Sequence, residues 1–257
     1  GFETLVPDGT LAIGYIQSDE NDYHSKAVSA GGTREFFQKN TVVSIGFSNG
    51  NDRINSSSDK NFDELMMNQS YSLSLAQVLS QASLIQFIYD FKVENGYIAS
   101  PYRRAKIIDP VSGSISPLPE NHPRTRNRNA WAVKYNHFIS ALKLSTATTY
   151  RLYQDSWGVL SHTIEERLTR EFTRKWSASL TLRYYLQNQA NFYSDYYIGD
   201  PGPFHTGNST LADFSSYTIA LRPVYAINDH ISLIGRLEHY ANSFKNATDA
   251  GVLTTLA

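Results

Sequence analysis

Asp155, Ser161 and His162 fall within eight residues of one another, and an acid, a hydroxyl and an imidazole are the groups of nucleophilic acyl transfer. That chemistry needs the base within hydrogen-bond reach of the hydroxyl. Adjacent residues of a strand point to opposite faces, so Ser161 and His162 diverge if the segment is extended. A hydrolase is therefore the weakest reading. The seven histidines lack the paired spacings of a zinc site, there is no cysteine, and no nucleophile elbow, phosphate loop or dinucleotide fingerprint occurs. No metal and no cofactor is expected.

The remaining chemistry is charge. Arg124, Arg126 and Arg128, with Arg103 and Arg104 upstream, form a basic run expected on the long loop between two strong strands. Arginine suits bidentate contacts to phosphate, so the run could hold an anionic polymer, lipopolysaccharide phosphates or a small lipoprotein or periplasmic partner; a solvated loop with its charges folded over a pore mouth is the plainer reading.

Such groups must be positioned by strands. From Trp176 to Gln187, Trp176, Ala178, Leu180, Leu182, Tyr184 and Leu186 alternate with Ser177, Ser179, Thr181, Arg183, Tyr185 and Gln187. This is period two with aromatics on the apolar face. Ile85, Phe87, Tyr89 and Phe91 repeat it within Leu84 to Val93, and Trp131, Val133 and Tyr135 within Trp131 to His137. Weaker copies lie at Leu11 to Tyr15, Tyr23 to Ala30, Val43 to Phe47, Tyr71 to Leu75, Leu142 to Leu152, Tyr217 to Tyr225 and Ile231 to Leu237. Alternation fits a soluble sandwich as well as a membrane barrel.

The links favour the barrel. Short ones are expected at Gly31 to Arg34, Val78 to Ser80, Phe138 to Ser140, Thr173 to Lys175 and Ile227 to Asp229. Long ones are expected at Asn49 to Met67, Gly96 to Asn127 and Asp195 to Ser209. Outer-membrane barrels alternate tight periplasmic turns with extended outward loops in this way. The expectation is one transmembrane antiparallel up-and-down barrel over residues 1–257, of about twelve strands, the last beginning at Gly251 and cut off at Ala257. A half-strand at a seam leaves backbone groups unpaired in lipid, which predicts a C-terminally incomplete chain.

Composition agrees. Charged residues make up 18% and aromatics 13%, mean hydropathy is -0.38, and no apolar stretch is long enough for a membrane helix. A barrel tolerates low hydropathy because every second residue faces a polar lumen. A net charge of -1 gives no reason to expect nucleic acid as a partner. The sequence opens at Gly1 without a basic, apolar, small-residue leader, so the expectation is a mature outer-membrane chain whose signal peptide has been removed or was never present.

In the barrel, Ile85, Phe87, Tyr89, Trp131, Val133, Tyr135, Trp176, Leu180, Leu182 and Tyr184 face lipid. Asp90, Lys92, Lys134, Lys143, Arg151, Glu165, Arg167, Arg183, Arg222, Arg236 and Glu238 line the lumen. Their cationic excess suits small anions, while pairing between strands would plug the bore instead. Ser161 to Phe172 resists, because Glu166 takes a lipid-facing position; a bulge, a contact between copies in an oligomer, or a soluble sheet would each relieve it. The segment Gln187 to Tyr197 reads as a strand prolonged beyond the membrane into a surface loop.

Four blocks carry a resemblance: Asn95 to Arg103 (NGYIASPYR), Pro119 to Trp131 (PENHPRTRNRNAW), Asp155 to Glu165 (DSWGVLSHTIE) and Thr181 to Tyr193 (TLRYYLQNQANFY). They resemble a family of proteobacterial outer-membrane proteins of unknown function. The resemblance implies a β-barrel ending in an aromatic residue, which Ala257 is not. The barrel reading of the residues gives the expected role as a non-enzymatic pore, channel or surface scaffold, with a plugged barrel that binds a partner or forms oligomers through its loops as the alternative.

Overall fold

A computed structural model describes residues 1–245. In chain order its strands are β1 (Phe2–Val6), β2 (Gly9–Asp19), β3 (Tyr23–Phe36), β4 (Thr41–Asn55), β5 (Asp63–Ser80), β6 (Ser83–Gly96), β7 (Arg104–Ile108) and β8 (Ile115–Pro119). They continue with β9 (Thr125–Ile139), β10 (Leu144–Asp155), β11 (Leu160–Glu171), β12 (Trp176–Gln187), β13 (Tyr197–Ile198), β14 (Phe214–Ala226), β15 (Ser232–Ile234) and β16 (Leu237–Phe244). The main sheet runs in the order β1 to β6, β9 to β12, β14, β15, with every pairing antiparallel and β16 also on β14. β15 and β16 share one lane, interrupted where Pro223 of β14 meets Gly235: proline has no N–H to donate, and a single bond from Gly235 N to Pro223 O (3.0 Å) remains.

The register separates the two faces. Leu11, Ile13 and Tyr15 share one side with Val28, then with Val43, Ile45 and Phe47, and onward with Tyr71, Leu73 and Leu75. The same face carries Phe87, Tyr89, Trp131, Val133, Tyr150, Leu182 and Ile219. These large apolar side chains stay exposed, Ile45 at 63% and Ile13 at 62%. The opposite face carries glycine, serine, threonine and most of the strand charges, while Asp19, Lys26, Arg34, Arg53, Asp63, Glu166 and Arg170 take the apolar register. A water-soluble sheet would bury the first face; a barrel wall turns it to hydrocarbon. Aromatics pair along it, with Phe47–Tyr71 centroids at 5.2 Å, Tyr89–Trp131 at 5.6 Å and Trp176–Tyr225 at 4.7 Å.

The polar face is concave. Residues of β2 and β10, six lanes apart, line one cavity of about 640 Å³. Laid flat, those strands would stand roughly 29 Å apart at about 4.8 Å per lane. Among the described residues no ladder joins β1 to β15 or β16, so these strands are the edges of the rolled sheet. The strand expected from Gly251 lies outside the described residues.

Boundaries differ from expectation in instructive ways. β1 carries too short a pattern to have been foreseen. The turn expected at Gly31 to Arg34 lies at Phe37–Asn40, where Phe37, Gln38 and Lys39 adopt φ of 52°, 57° and 71°. No glycine advertises that turn, and Gly31 and Gly32 are strand residues: a Cβ on Gly32 would stand 2.9 Å from Thr10 O. The long link expected at Asn49 to Met67 shrinks to residues 56–62 because β4 and β5 continue as a hairpin. At about 3.4 Å per residue, 15-residue β4 reaches roughly 50 Å, well beyond an apolar band.

Glu166 lies on the apolar face of β11, partly covered, and accepts a hydrogen bond from Thr148 Oγ1 at 2.5 Å. There is no bulge in its ladders. Thr146, Thr148, Tyr150 and His162 make the surrounding outer surface locally polar, and Tyr150 Oη shares a 2.7 Å hydrogen bond with His162 Nδ1.

Candidate functional site

The alternation that builds the wall also builds its interior. On β2 to β5 the polar register supplies Ala12, Gly14, Ser29, Gly31, Gly46, Ser48, Ser70 and Ser72. They sit too close for larger groups: a Cβ on Gly46 would stand 2.5 Å from Ser72 Oγ. Across the 640 Å³ cavity, β6, β9 and β10 present Asp90, Lys92, Arg128, Arg151 and Tyr153. A second cavity of about 560 Å³ lies further round the wall, lined by Glu165, Arg167, Arg183, Arg222, Arg236 and Glu238 with threonine and serine between them.

Of the residues expected to line the lumen, Asp90, Lys92, Lys134, Arg151, Glu165, Arg167, Arg183, Arg222 and Glu238 lie on this register, and Arg236 reaches the second cavity from the break between β15 and β16. Lys143 does not. It closes the tight turn after the 3-10 segment Ser140–Leu142 in a left-handed conformation, φ 48°, at the short-turn end of the wall. The lipid-facing set, from Ile85 on β6 to Tyr184 on β12, lies on the other register.

At the long-loop end the wall is capped. Residues 97–124 and 188–213 fold inward and carry a small sheet in which β7 pairs with β8 and, in parallel, with β13. Beneath it Trp157, Val159, Ala190 and Leu211 are buried together, with Ile98, Tyr153, Phe192 and Tyr193 packed around them. The expected prolongation of β12 beyond Gln187 is therefore corrected: the strand ends there and residues 188–196 turn over the mouth, where the Phe192 ring packs edge-on against buried Trp157 with ring centroids 5.1 Å apart.

Asp155 is the hub. Its Oδ2 accepts from Arg126 Nε (2.8 Å), Arg126 Nη2 (2.5 Å) and Tyr153 Oη (2.7 Å), and its Oδ1 from the Trp157 N–H (2.9 Å) and the Val159 N–H (3.0 Å). The Arg126 guanidinium also lies 4.1 Å from the Trp157 ring centre. One step inward, Glu94 stands 2.9 Å from Lys92 Nζ and 2.5 Å from Arg128 Nη2. These pairs overturn the basic patch. Arg126 and Arg128 are inner-face residues of β9 and not loop residues, and Arg124 forks onto Glu64 at 2.9 and 3.0 Å. A guanidinium withdrawn from water needs a carboxylate, and the fold supplies Asp155 to Arg126 and Glu94 to Arg128, while the Arg124–Glu64 pair stays at the surface. Arg103 and Arg104 alone of the five stay exposed without an ion pair among the described residues.

The same contacts take apart the hydrolase arrangement. Asp155 is saturated, Ser161 is buried on the inner register, and His162 faces outward onto Tyr150. Sequence reasoning passed over Asp155 as an organiser, although Asp-Ser-Trp-Gly has the aspartate and the glycine that a tight turn prefers at its ends.

A second buried acid locks the cap. Glu120 Oε1 accepts from Thr206 Oγ1 (2.8 Å) and from the Gly207 N–H (3.1 Å), while Oε2 stands 3.4 Å from Nε2 of His122, itself set edge-on to Trp157. Burial opposes ionisation of Glu120, but His122, Thr206 and Gly207 outweigh it and hold the carboxyl below its ordinary value. A depressed folded pKa gives stability that is complete above the unfolded value and is lost as pH falls through the folded one. Protection against hydrogen exchange in residues 97–124 and 188–213, expressed relative to the intrinsic rate at each pH, should therefore fall when pH drops from 7 to below the usual carboxylate range. In a Glu120→Gln variant that acid-induced loss of protection should shrink. Equal loss in both would assign it to other groups.

With this geometry in place, the match of residues 3–257 to the family described as "Protein of unknown function (DUF3570)" acquires a structure. The chain belongs to that family. No curated protein matches it. Among solved structures, the ferric enterobactin receptor (PfeA) of Pseudomonas aeruginosa aligns with a TM-score of 0.52 at 10% identity over 91% of this chain and 39% of that one. CdiB from Acinetobacter baumannii aligns with a TM-score of 0.51 at 10% identity over 93% of this chain and 44% of that one. At that identity they show the shared fold, an antiparallel β-barrel wall, and this chain spans about two fifths of their length. This chain is thus built as a barrel wall, and the four sequence blocks noted above converge on its cap through Ile98, Glu120, Arg126, Asp155, Trp157, Gln187 and Phe192.

Proposed function

We propose that the chain forms the wall of a bacterial outer-membrane barrel that admits small anionic solutes without acting on them chemically. The observation that carries this reading is the charge of the two cavities: their linings hold seven cations, Lys92, Arg128, Arg151, Arg167, Arg183, Arg222 and Arg236, against three carboxylates, Asp90, Glu165 and Glu238. Counting Glu94, which holds Lys92 and Arg128, still leaves an excess of three positive charges. Fixed cations in a low-dielectric bore raise the local concentration of anions.

The full chain in planar bilayers should give steady unitary currents whose reversal potential in a salt gradient shifts toward that of chloride. Cation preference would overturn the reading. A silent membrane would favour a second one, a closed scaffold, which the buried cap over one mouth supports. On that reading the cap meets lipopolysaccharide, a small lipoprotein or periplasmic partner, or a second copy of the chain.

A further inference from the structure

We propose that the 560 Å³ cavity on β11, β12, β14 and β16 is a binding site for a small solute carrying two acidic groups of phosphate or carboxylate type. This deepens the reading above and rests on the polar face being the inner, water-bearing one. Thr181 and Ala220, paired across β12 and β14, form a floor with little side chain. Arginines stand around it: Arg167 is the β11 partner of Thr181, Arg183 lies two residues along β12, Arg222 lies two residues along β14 from Ala220, and Arg236 enters from the next lane.

The four are not equivalent. Glu165 lies 3.2 Å from Arg167, and Glu238 pairs with Arg236, each acid two residues from its arginine and on the same face. Those pairs fix two guanidinium groups at the sides. Arg183 and Arg222 are exposed and make no ion pair among the described residues. Arg183 pairs with Thr218, four residues from Arg222, so the two stems stand roughly 13 Å apart along the strand. Two long side chains converging from that separation can grip the two ends of one solute over the Thr181–Ala220 floor.

The chemistry selects the ligand. A guanidinium fork matches the paired oxygens of a carboxylate or phosphate and gains little from a spherical halide. The hydroxyls of Thr169, Ser179, Thr181 and Thr218 add donors around the same space. The volume falls within the range of small-molecule sites and far exceeds a single ion. Glu165 and Glu238 would repel a bulkier polyanion, which limits the site to solutes with about two charges.

The test uses the purified full chain in detergent, with pyrophosphate and succinate as probes in titration calorimetry at fixed ionic strength, since salt screens exposed charge. Saturable binding of either probe is expected, weakened at least tenfold in Arg183→Gln/Arg222→Gln and by less than twofold in Lys134→Gln, an inner-face cation outside the cavity. Heat-modifiable migration on a gel checks that each variant is folded. Should the glutamine pair not fold, Arg183→Lys/Arg222→Lys keeps both charges but removes both forks, and at least a fivefold loss is expected. The probe more strongly lost identifies the acidic group. No saturable binding to the wild type, unchanged affinity in the folded double variant, or an equal loss in Lys134→Gln would overturn the site. Binding that disappears in the double variant while bilayers stay silent would sustain the site and remove the pore; currents from a protein that binds neither probe would do the reverse.

Discussion

Replacing Asp155 with alanine is expected to cost about 3 to 5 kcal/mol, the range found when one member of a buried ion pair is removed and the other is left behind. The side chains of Asp155 and Arg126 are 0% and 11% exposed, so water cannot take over the solvation of the guanidinium. Two backbone donors, at Trp157 and Val159, lose their acceptor in the same substitution. The expected readout is a lower urea midpoint for the cap, followed by proteolysis in residues 188–213, while the wall persists. Arg126→Met in the same chain removes the stranded charge and should return most of the loss, because directly contacting groups are strongly non-additive. A double variant no more stable than Asp155→Ala would mean that the pair is not the element holding the cap.

The second large effect separates the faces. Ile45→Arg, near the middle of the apolar run Val43 to Phe47, should destabilise the barrel in vesicles by about 2 to 4 kcal/mol, the cost of an arginine at the hydrocarbon midplane. Ser44→Arg, one residue away on the inner register and flanked by Thr33 and Ser74, should cost less than Ile45→Arg, because it places no charge in hydrocarbon. Glu166→Leu, on the same outer face, should move the midpoint the other way, since it removes a carboxylate from the apolar register at the cost of one hydrogen bond from Thr148. Reversed costs at residues 44 and 45 would invert the assignment of inside and outside.

The three substitutions also bear on the polar outer patch. If Glu166→Leu raised stability in isolated copies yet lowered it at high protein density, the patch around Thr146, Thr148 and His162 would be a surface between copies.

How far the sequence reached can be judged from particular segments. Period-two alternation marked most of the long lanes from β2 to the one shared by β15 and β16, because side-chain parity is local, whereas Tyr23 to Ala30 rested on the parity of the links and Ser161 to Phe172 broke the pattern at Glu166. Positions such as Trp131, Leu182, Arg151 and Arg183 could be placed on a face without any contact information. Strand ends were less legible. Gly31 and Gly32 look like a turn, yet they sit where neighbouring lanes crowd the backbone, and the real turn at Phe37 to Lys39 uses residues with no special local preference.

The amino-acid order by itself determined the two-faced, up-and-down wall, since it follows from which residue types alternate and where short links recur. Only the tertiary structure decided what the charges do. Arg126 and Asp155 are 29 residues apart, Arg128 and Glu94 are 34 apart, and Glu120 reaches Thr206 across 86. No periodicity encodes such pairings. They come from closing long segments over one mouth, where water is excluded and each buried ion must find the partner that the fold brings to it.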